Sequence, residues 1–335
     1  MKRILVCLLG VMLMMSFVVC VNAESGGETI RVGMSFATFE GQSWVQTREY
    51  LEMHAQKYNE EHGTNIELII SSADNDAAAM TTAINDFINS GVDVICANCV
   101  DNKAIWTSIS AAKAAGIPFI TWGRGIAEGA PDAPDAQYPV EAYKLANASA
   151  DYAIKKMIAD GTAAADIHAI EIVGKLNDQN AIYYSEGFNA AAKEYGINLV
   201  ETVACEWDVE VLLGRISPVL QMHPEVNFIW IPADVMVNGV LPVLERLDRL
   251  YPIGEEGHIV LASTDGSKDF LEPMLEGYTD CVALQDIDGI SKTVIEAIVA
   301  LHRGETPPSS DIPAPIITPE TYEEMKDAGK LWALN

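Results

Sequence analysis

Side chains able to hold a polar small molecule recur in one kind of place, the short segments that follow β-rich apolar runs. Those segments are Ser35 to Trp44, Asn98 to Asp101, Gly123-Arg124, Lys175 to Tyr184, Trp207-Asp208, Ala233-Asp234, Asp265-Gly266 and Gln285-Asp286. They offer indoles, a guanidinium, carboxylates, amides and phenols, a set that suits stacking and hydrogen bonding. Covalent chemistry has no comparable signature. The chain carries no Gly-x-Ser-x-Gly elbow, no Gly-x-x-x-x-Gly-Lys-Ser/Thr phosphate loop and no His-Glu-x-x-His. Gly123-x-Gly125 is too short a fragment for a dinucleotide site. None of the six histidines lies in these segments beside a nucleophile. Cys96-Ala-Asn-Cys99 has the spacing of a redox pair or half a zinc site. It closes a predicted strand, however, instead of opening a helix, and no further ligands stand at suitable spacing. The expectation is a binding protein with no catalytic residue, metal or cofactor, its thiols packed or locally bridged.

The elements that must position these segments alternate along the whole chain. Strands are predicted at Ile30–Phe36, Ile66–Ser71, Val92–Ala97, Ile117–Trp122, His168–Val173, Asn198–Ala204, Asn227–Ile231, His258–Ala262 and Cys281–Leu284. Helices are predicted near Ser43–Tyr58, Asp76–Ile88, Ala104–Ala115, Ala142–Ala159, Ala181–Tyr195, Val211–Met222, Val235–Leu247, Lys268–Leu275 and Ile290–Arg303. In the second of these, Ala77, Met80, Ile84, Phe87 and Ile88 share a face, as a helix covering a sheet requires. Ser43 is the expected N-cap of the first helix. Such alternation means an α/β fold of doubly wound parallel sheets. Sheets of this kind bind ligands beyond the carboxyl ends of their strands, which makes the strand-end segments a site map.

Lys2 and Arg3, an apolar run over residues 4–21 and Val21-Asn22-Ala23 read as a secretory signal, residues 1–23, cut after Ala23. An uncleaved anchor is the alternative. A lipoprotein cut before Cys20 is a third reading, which Phe17-Val18-Val19 fits poorly. The expected location is periplasmic or extracellular. Without Lys2 and Arg3, 19 basic side chains face 48 acidic ones, a net of −29. That charge repels phosphate backbones and anionic membranes, so nucleic acid is not an expected partner. The remaining length suits two domains with full cores.

Several separated patches then resemble the periplasmic sugar-binding proteins of ABC transporters, the ribose- and galactose-binding group. Gly116-Ile117-Pro118-Phe119-Ile120-Thr121 with Gly123-Arg124 is similar to the family's strand leading to an Asp-Arg pair. Ser185-Glu186-Gly187-Phe188 resembles the opening of its fifth helix. His223-Pro224-Glu225-Val226 with Ala233-Asp234-Val235-Met236, Ser263-Thr264-Asp265-Gly266, and Glu276-Gly277 eight residues before Gln285 resemble three further elements in the right order. The resemblance implies two lobes joined by a three-segment hinge, with crossings near Val140-Glu141, Gln285-Asp286 and Pro313–Ile316. One lobe would hold residues 28–139 and 286–313, the other 140–285 and 314–335. It implies a monomer that closes on a small-molecule ligand, a sugar, and presents it to ABC permease membrane subunits. A chemoreceptor or sensor kinase as recipient, and a polyol, nucleoside or furanone as ligand, are the alternatives.

The resemblance also assigns roles. Trp44 and Trp207 become aromatic plates, Arg124 a forked donor, Asp265 a ligand carboxylate and Gln285 an amide at the hinge. The alternatives are core packing for either Trp, a cleft-edge ion pair for Arg124 and a helix N-cap for Asp265. Three positions depart from the family pattern. Gly123 stands for an aspartate, Tyr184 for an arginine and Ala233 for an asparagine. Asp178, Asn180, Tyr183 and Tyr184, in the loop after the fifth strand, are the candidate substitutes, and Asp234 is a further candidate ligand-binding residue. Gly123 and Ala233 are expected to leave space for a bulkier or less polar ligand.

Overall fold

The structure, a computed structural model, describes residues 27–310 and 313–334. The signal-peptide reading of residues 1–23 lies outside them. Among the described residues no helix is long and apolar enough to cross a membrane.

The first lobe runs β1 (Thr29–Phe36), α1 (Gln42–His62), β2 (Asn65–Ser72), α2 (Ala77–Ser90), β3 (Val94–Ala97), α3 (Ile105–Ala114), β4 (Phe119–Gly123) and β5 (Ala136–Pro139). The second runs α4 (Ala142–Ala159), β6 (His168–Val173), α5 (Gln179–Tyr195), β7 (Asn198–Ala204), α6 (Val209–Met222), β8 (Phe228–Trp230), α7 (Val237–Arg246), β9 (Val260–Asp265), α8 (Lys268–Leu275) and β10 (Cys281–Leu284). Then follow α9 (Ile287–His302), β11 (Ile316–Ile317) and α10 (Tyr322–Asp327).

The strands form two sheets, ordered β2-β1-β3-β4-β5 and β11-β10-β9-β8-β6-β7. All pairings are parallel except β10 with β11. In each sheet the order reverses beside the strand that comes first in the chain, β1 or β6, which opens the crevice where parallel sheets take ligands. Central strands such as Val94-Ile95-Cys96-Ala97 are wholly buried, as sheets covered on both faces require. Helix α9 packs against α1 and the first sheet, whereas β11 extends the second.

Local signals set the helix ends. Asp76, Asp178, Asp208 and Asp286 cap α2, α5, α6 and α9, each accepting from a backbone N–H in the first turn. The structure corrects the expected cap of α1. Gly41, at φ 94°, precedes the helix and Ser43 lies inside it, its carbonyl accepting from the Thr47 hydroxyl. The predicted start of β9 at His258 also moves, and the strand reaches Asp265. Strands β5 and β11 are additions. Both are short, and β5 ends in a proline that suits only a sheet edge.

Candidate functional site

Between the carboxyl edges of the two sheets lies a cavity of about 240 Å³. Its walls include Trp44, Arg124, Asp178, Asn180, Tyr184, Trp207, Asp234, Asp265 and Gln285, so the structure brings together all nine residues picked from the strand-end map. Tyr183 is not among the lining residues. The map omitted other parts of the wall: Asn75 after the edge strand β2, Val140 at the crossing into α4, Glu206, and Val235, Met236 and Ser267. Ser267 sits at the N-terminus of α8, one residue beyond the Asp265-Gly266 segment.

Each indole is seated on a glycine. A Cβ at Gly123 would lie 3.1 Å from the Trp44 ring and 2.6 Å from Asn98 Nδ2, and Gly123 has φ 68°. A Cβ at Gly174 would lie 2.1 Å from the Trp207 ring. This corrects one expectation. Gly123 leaves no room for a bulkier ligand, because Trp44 and Asn98 already occupy the space an aspartate would need. Trp44 meets Trp122 edge-on, and the Arg124 guanidinium sits 5.6 Å from its ring. Glu206 and Trp207 both take left-handed backbone, φ 57° and 60°, a costly conformation that turns Trp207 toward the cavity.

The carboxylates divide by what already binds them. Asp178 Oδ1 accepts from Asn180 N at 2.9 Å. Its Oδ2 accepts from Trp207 Nε1 at 3.1 Å and lies 3.3 Å from Arg124 Nε. Asp234 Oδ2 accepts from Gly266 N at 2.8 Å and, closer still, from Ser267 N, which caps α8 from outside the helix. Asp265 is not that cap. It ends β9 at φ 98°, and its Oδ1 meets the Tyr184 and Thr264 hydroxyls only at 3.5 Å each. Burial, and then the neighbouring Asp234, push its carboxyl well above the usual range. Burial likewise raises Asp234, against its two backbone donors. A carboxyl held above its usual range keeps its proton to higher pH and can then donate as well as accept.

Asn180 has a fixed orientation. Its Nδ2 donates to Gly123 O at 3.0 Å across the lobes, and its buried Oδ1 has no hydrogen-bond partner among the described residues. Gln285, nearly buried, holds the turn from β10 into α9 through Gln285 N to Asp265 O at 3.1 Å. Gln42 ties the lobes at another point. Its Oε1 accepts from Lys268 N at 3.1 Å and its Nε2 donates to Ala333 O at 3.3 Å. Behind Asp265, Trp332 Nε1 donates to Asp265 O at 3.0 Å.

Six acidic side chains line the cavity among the described residues (Glu40, Asp178, Glu206, Asp208, Asp234 and Asp265), against the basic Arg124 and Lys175. Nothing in the wall resembles an activated nucleophile. Cys96, Cys99, Cys205 and Cys281 are free and buried, and burial lifts Cys205 to about 11 and Cys99 to about 12. Such thiols stay protonated and unreactive.

Residues 32–306 match the family described as periplasmic binding protein domain. The chain is 23% identical over 274 residues to the ribose import binding protein of Bacillus subtilis, covering 82% of each chain. It is 25% identical over 290 residues to a putative rhizopine-binding protein of Rhizobium meliloti, covering 86% of this chain and 88% of that one. A solved ABC transporter solute-binding protein from Bacillus halodurans C-125 with bound myo-inositol has the same fold. Its TM-score is 0.77 at 23% identity, over 91% of this chain and 99% of that one.

Proposed function

The chain belongs to the periplasmic binding protein domain family, and from that premise we propose that it is an exported solute-binding protein that captures a sugar or polyol between its lobes and hands it to an ABC permease. The observation that carries the reading is the cavity itself. Two indoles from opposite lobes, a carboxyl with only distant partners and the hinge amide of Gln285 line one space. Indole faces suit the C–H side of a sugar ring, and convergent amides and carboxyls suit its hydroxyls.

The dimensions narrow the ligand. About 240 Å³ falls below the ~300–1,000 Å³ that holds drug-sized ligands, which favours a monosaccharide or cyclitol over a disaccharide. The acidic excess in the wall argues against sugar phosphates and sugar acids. In this reading Trp44 and Trp207 stack on the ligand, and Asp265, Tyr184, Asn180, Gln285 and Arg124 supply polar contacts. Asp178 and Asp234 shape the wall from positions where backbone donors already hold them. The lobes comprise residues 28–139 with 286–313 and 140–285 with 314–335, and the protein acts as a monomer. Titration calorimetry against D-ribose, D-galactose, xylitol, myo-inositol and D-glucuronate tests this. Micromolar or tighter binding of a neutral compound supports it, and preference for glucuronate contradicts it.

A further inference from the structure

We propose that Trp332 is a positioning residue for the cavity: by holding the Asp265 carbonyl it fixes the turn after β9 from which the Asp265 carboxyl is aimed. Asp265 and Gly266 take successive positive φ angles, 98° and 93°. For an aspartate this conformation is sparsely populated, and it persists only where the surroundings over-determine it. Here they do. Asp265 O accepts from Trp332 Nε1 at 3.0 Å and from Gln285 N at 3.1 Å, which uses both lone pairs of the carbonyl. Gly266 N donates to Asp234 Oδ2 at 2.8 Å, and Ser267 N donates to the same oxygen. Leu284 closes the remaining side, 2.5 Å from where a Cβ on Gly266 would stand.

Asp234, Asp265, Ser267 and Gln285 line the cavity, whereas Trp332 does not. Its indole comes from the tail after α10, in the short helical turn Trp332–Leu334. Leu331, Trp332 and Ala333 are all buried in the core cluster that holds Leu284 and Ile287. A buried indole N–H needs an acceptor, but any accessible backbone carbonyl would satisfy it. The carbonyl it takes belongs to the residue that lines the cavity. The direction of a carbonyl fixes the peptide plane that follows its residue, so the indole sets ψ at Asp265. Through the same oxygen it also sets the approach of Gln285, a second wall residue. The affinity consequence rests on the reading that this cavity takes a sugar or polyol; the fixed turn does not.

Trp332→Phe keeps an aromatic ring in the tail and removes the donor. Amide hydrogen exchange, read by NMR on the full chain, should quicken about three- to tenfold at Gly266, Ser267 and Gln285, as the loss of one hydrogen bond implies. Ile170 and Ile172 in β6 should keep their rates. Val243→Ala trims the same core cluster from α7, and should lower the unfolding midpoint while leaving the three turn amides at the parent rates. Titration calorimetry with D-ribose, D-galactose, xylitol and myo-inositol is the second readout. Whichever binds should bind Trp332→Phe about three- to tenfold more weakly, and Val243→Ala with the parent affinity. Asp265→Gly lacks the carboxyl and tolerates the positive φ. In that background Trp332→Phe should weaken binding by no more than about twofold, since the indole has no carboxyl left to aim. Trp332→Met is the second variant should the ring exchange fold poorly. Parent exchange rates at the three amides, or full additivity of the two substitutions, would overturn the proposal and make Trp332 a packing residue only. Failure of all four compounds to bind, with exchange quickened at the turn alone, would leave the positioning role standing and overturn the sugar reading instead.

Discussion

Replacing Asp265 with Asn should remove part of a pH dependence that runs opposite to ordinary acid denaturation. In the closed form Asp265 is enclosed, near Asp234, and has only two hydroxyls at 3.5 Å as partners, so its carboxyl sits well above the usual range. In the unfolded chain the same group titrates near ~3.9. The folded state therefore binds the extra proton. Its stabilisation is complete below the unfolded value and declines as pH rises toward the folded one. One such proton gives a slope of about 1.4 kcal/mol per pH unit wherever the folded state holds it and the unfolded state does not. Asp234 adds to that loss through its own raised carboxyl. Asp101, Asp132, Glu225 and Glu320 are lowered and act in the opposite sense, but below this window. His258, raised in net by its bond to Asp280 against burial, has the same sign as Asp265 and is common to both proteins. Urea unfolding at pH 5, 6 and 7 should thus show a falling stability in the parent protein and a less steep fall in Asp265→Asn, where Asp234, Glu171 and His258 keep their own share. Equal slopes, or a parent protein that gains stability over this range, would refute the raised carboxyl at Asp265.

Two glycine substitutions probe the seats of the indoles. Gly123→Ala adds a left-handed non-glycine residue and a clash with Asn98 and Trp44, and should cost about 2–4 kcal/mol in urea unfolding with a shifted tryptophan emission. Gly174→Ala forces Trp207 off its seat and should weaken binding of a neutral sugar at least tenfold by calorimetry. Gln42→Ala removes the bonds to Lys268 N and Ala333 O, and should raise the ligand dissociation rate several-fold in stopped-flow fluorescence with little effect on association.

The fold was legible because its signals are local and redundant. Apolar runs bounded by glycine, as at Gly116-Ile117-Pro118, gave the strands, and the parallel-sheet rule turned strand ends into a site. Residues that reach the cavity from elsewhere escaped that rule. Asn75 follows an edge strand, Val140 lies on a crossing, and Trp332 approaches Asp265 from a tail with no periodic signal. Gly123 was misjudged for a different reason. Its missing side chain reads as empty space in one dimension, whereas packing brings Trp44 and Asn98 into that space. The inter-lobe bonds of Asn102 and Asn180 likewise join residues 77 and 57 positions apart, a separation at which spacing carries no information.

A crystal structure of the protein with the tightest-binding neutral sugar tests the central claim most directly. The account places the ring between Trp44 and Trp207, with hydroxyls within about 3 Å of Asp265 and Gln285. A sugar bound outside this cavity, or lying in it without touching either indole or Asp265, would contradict it.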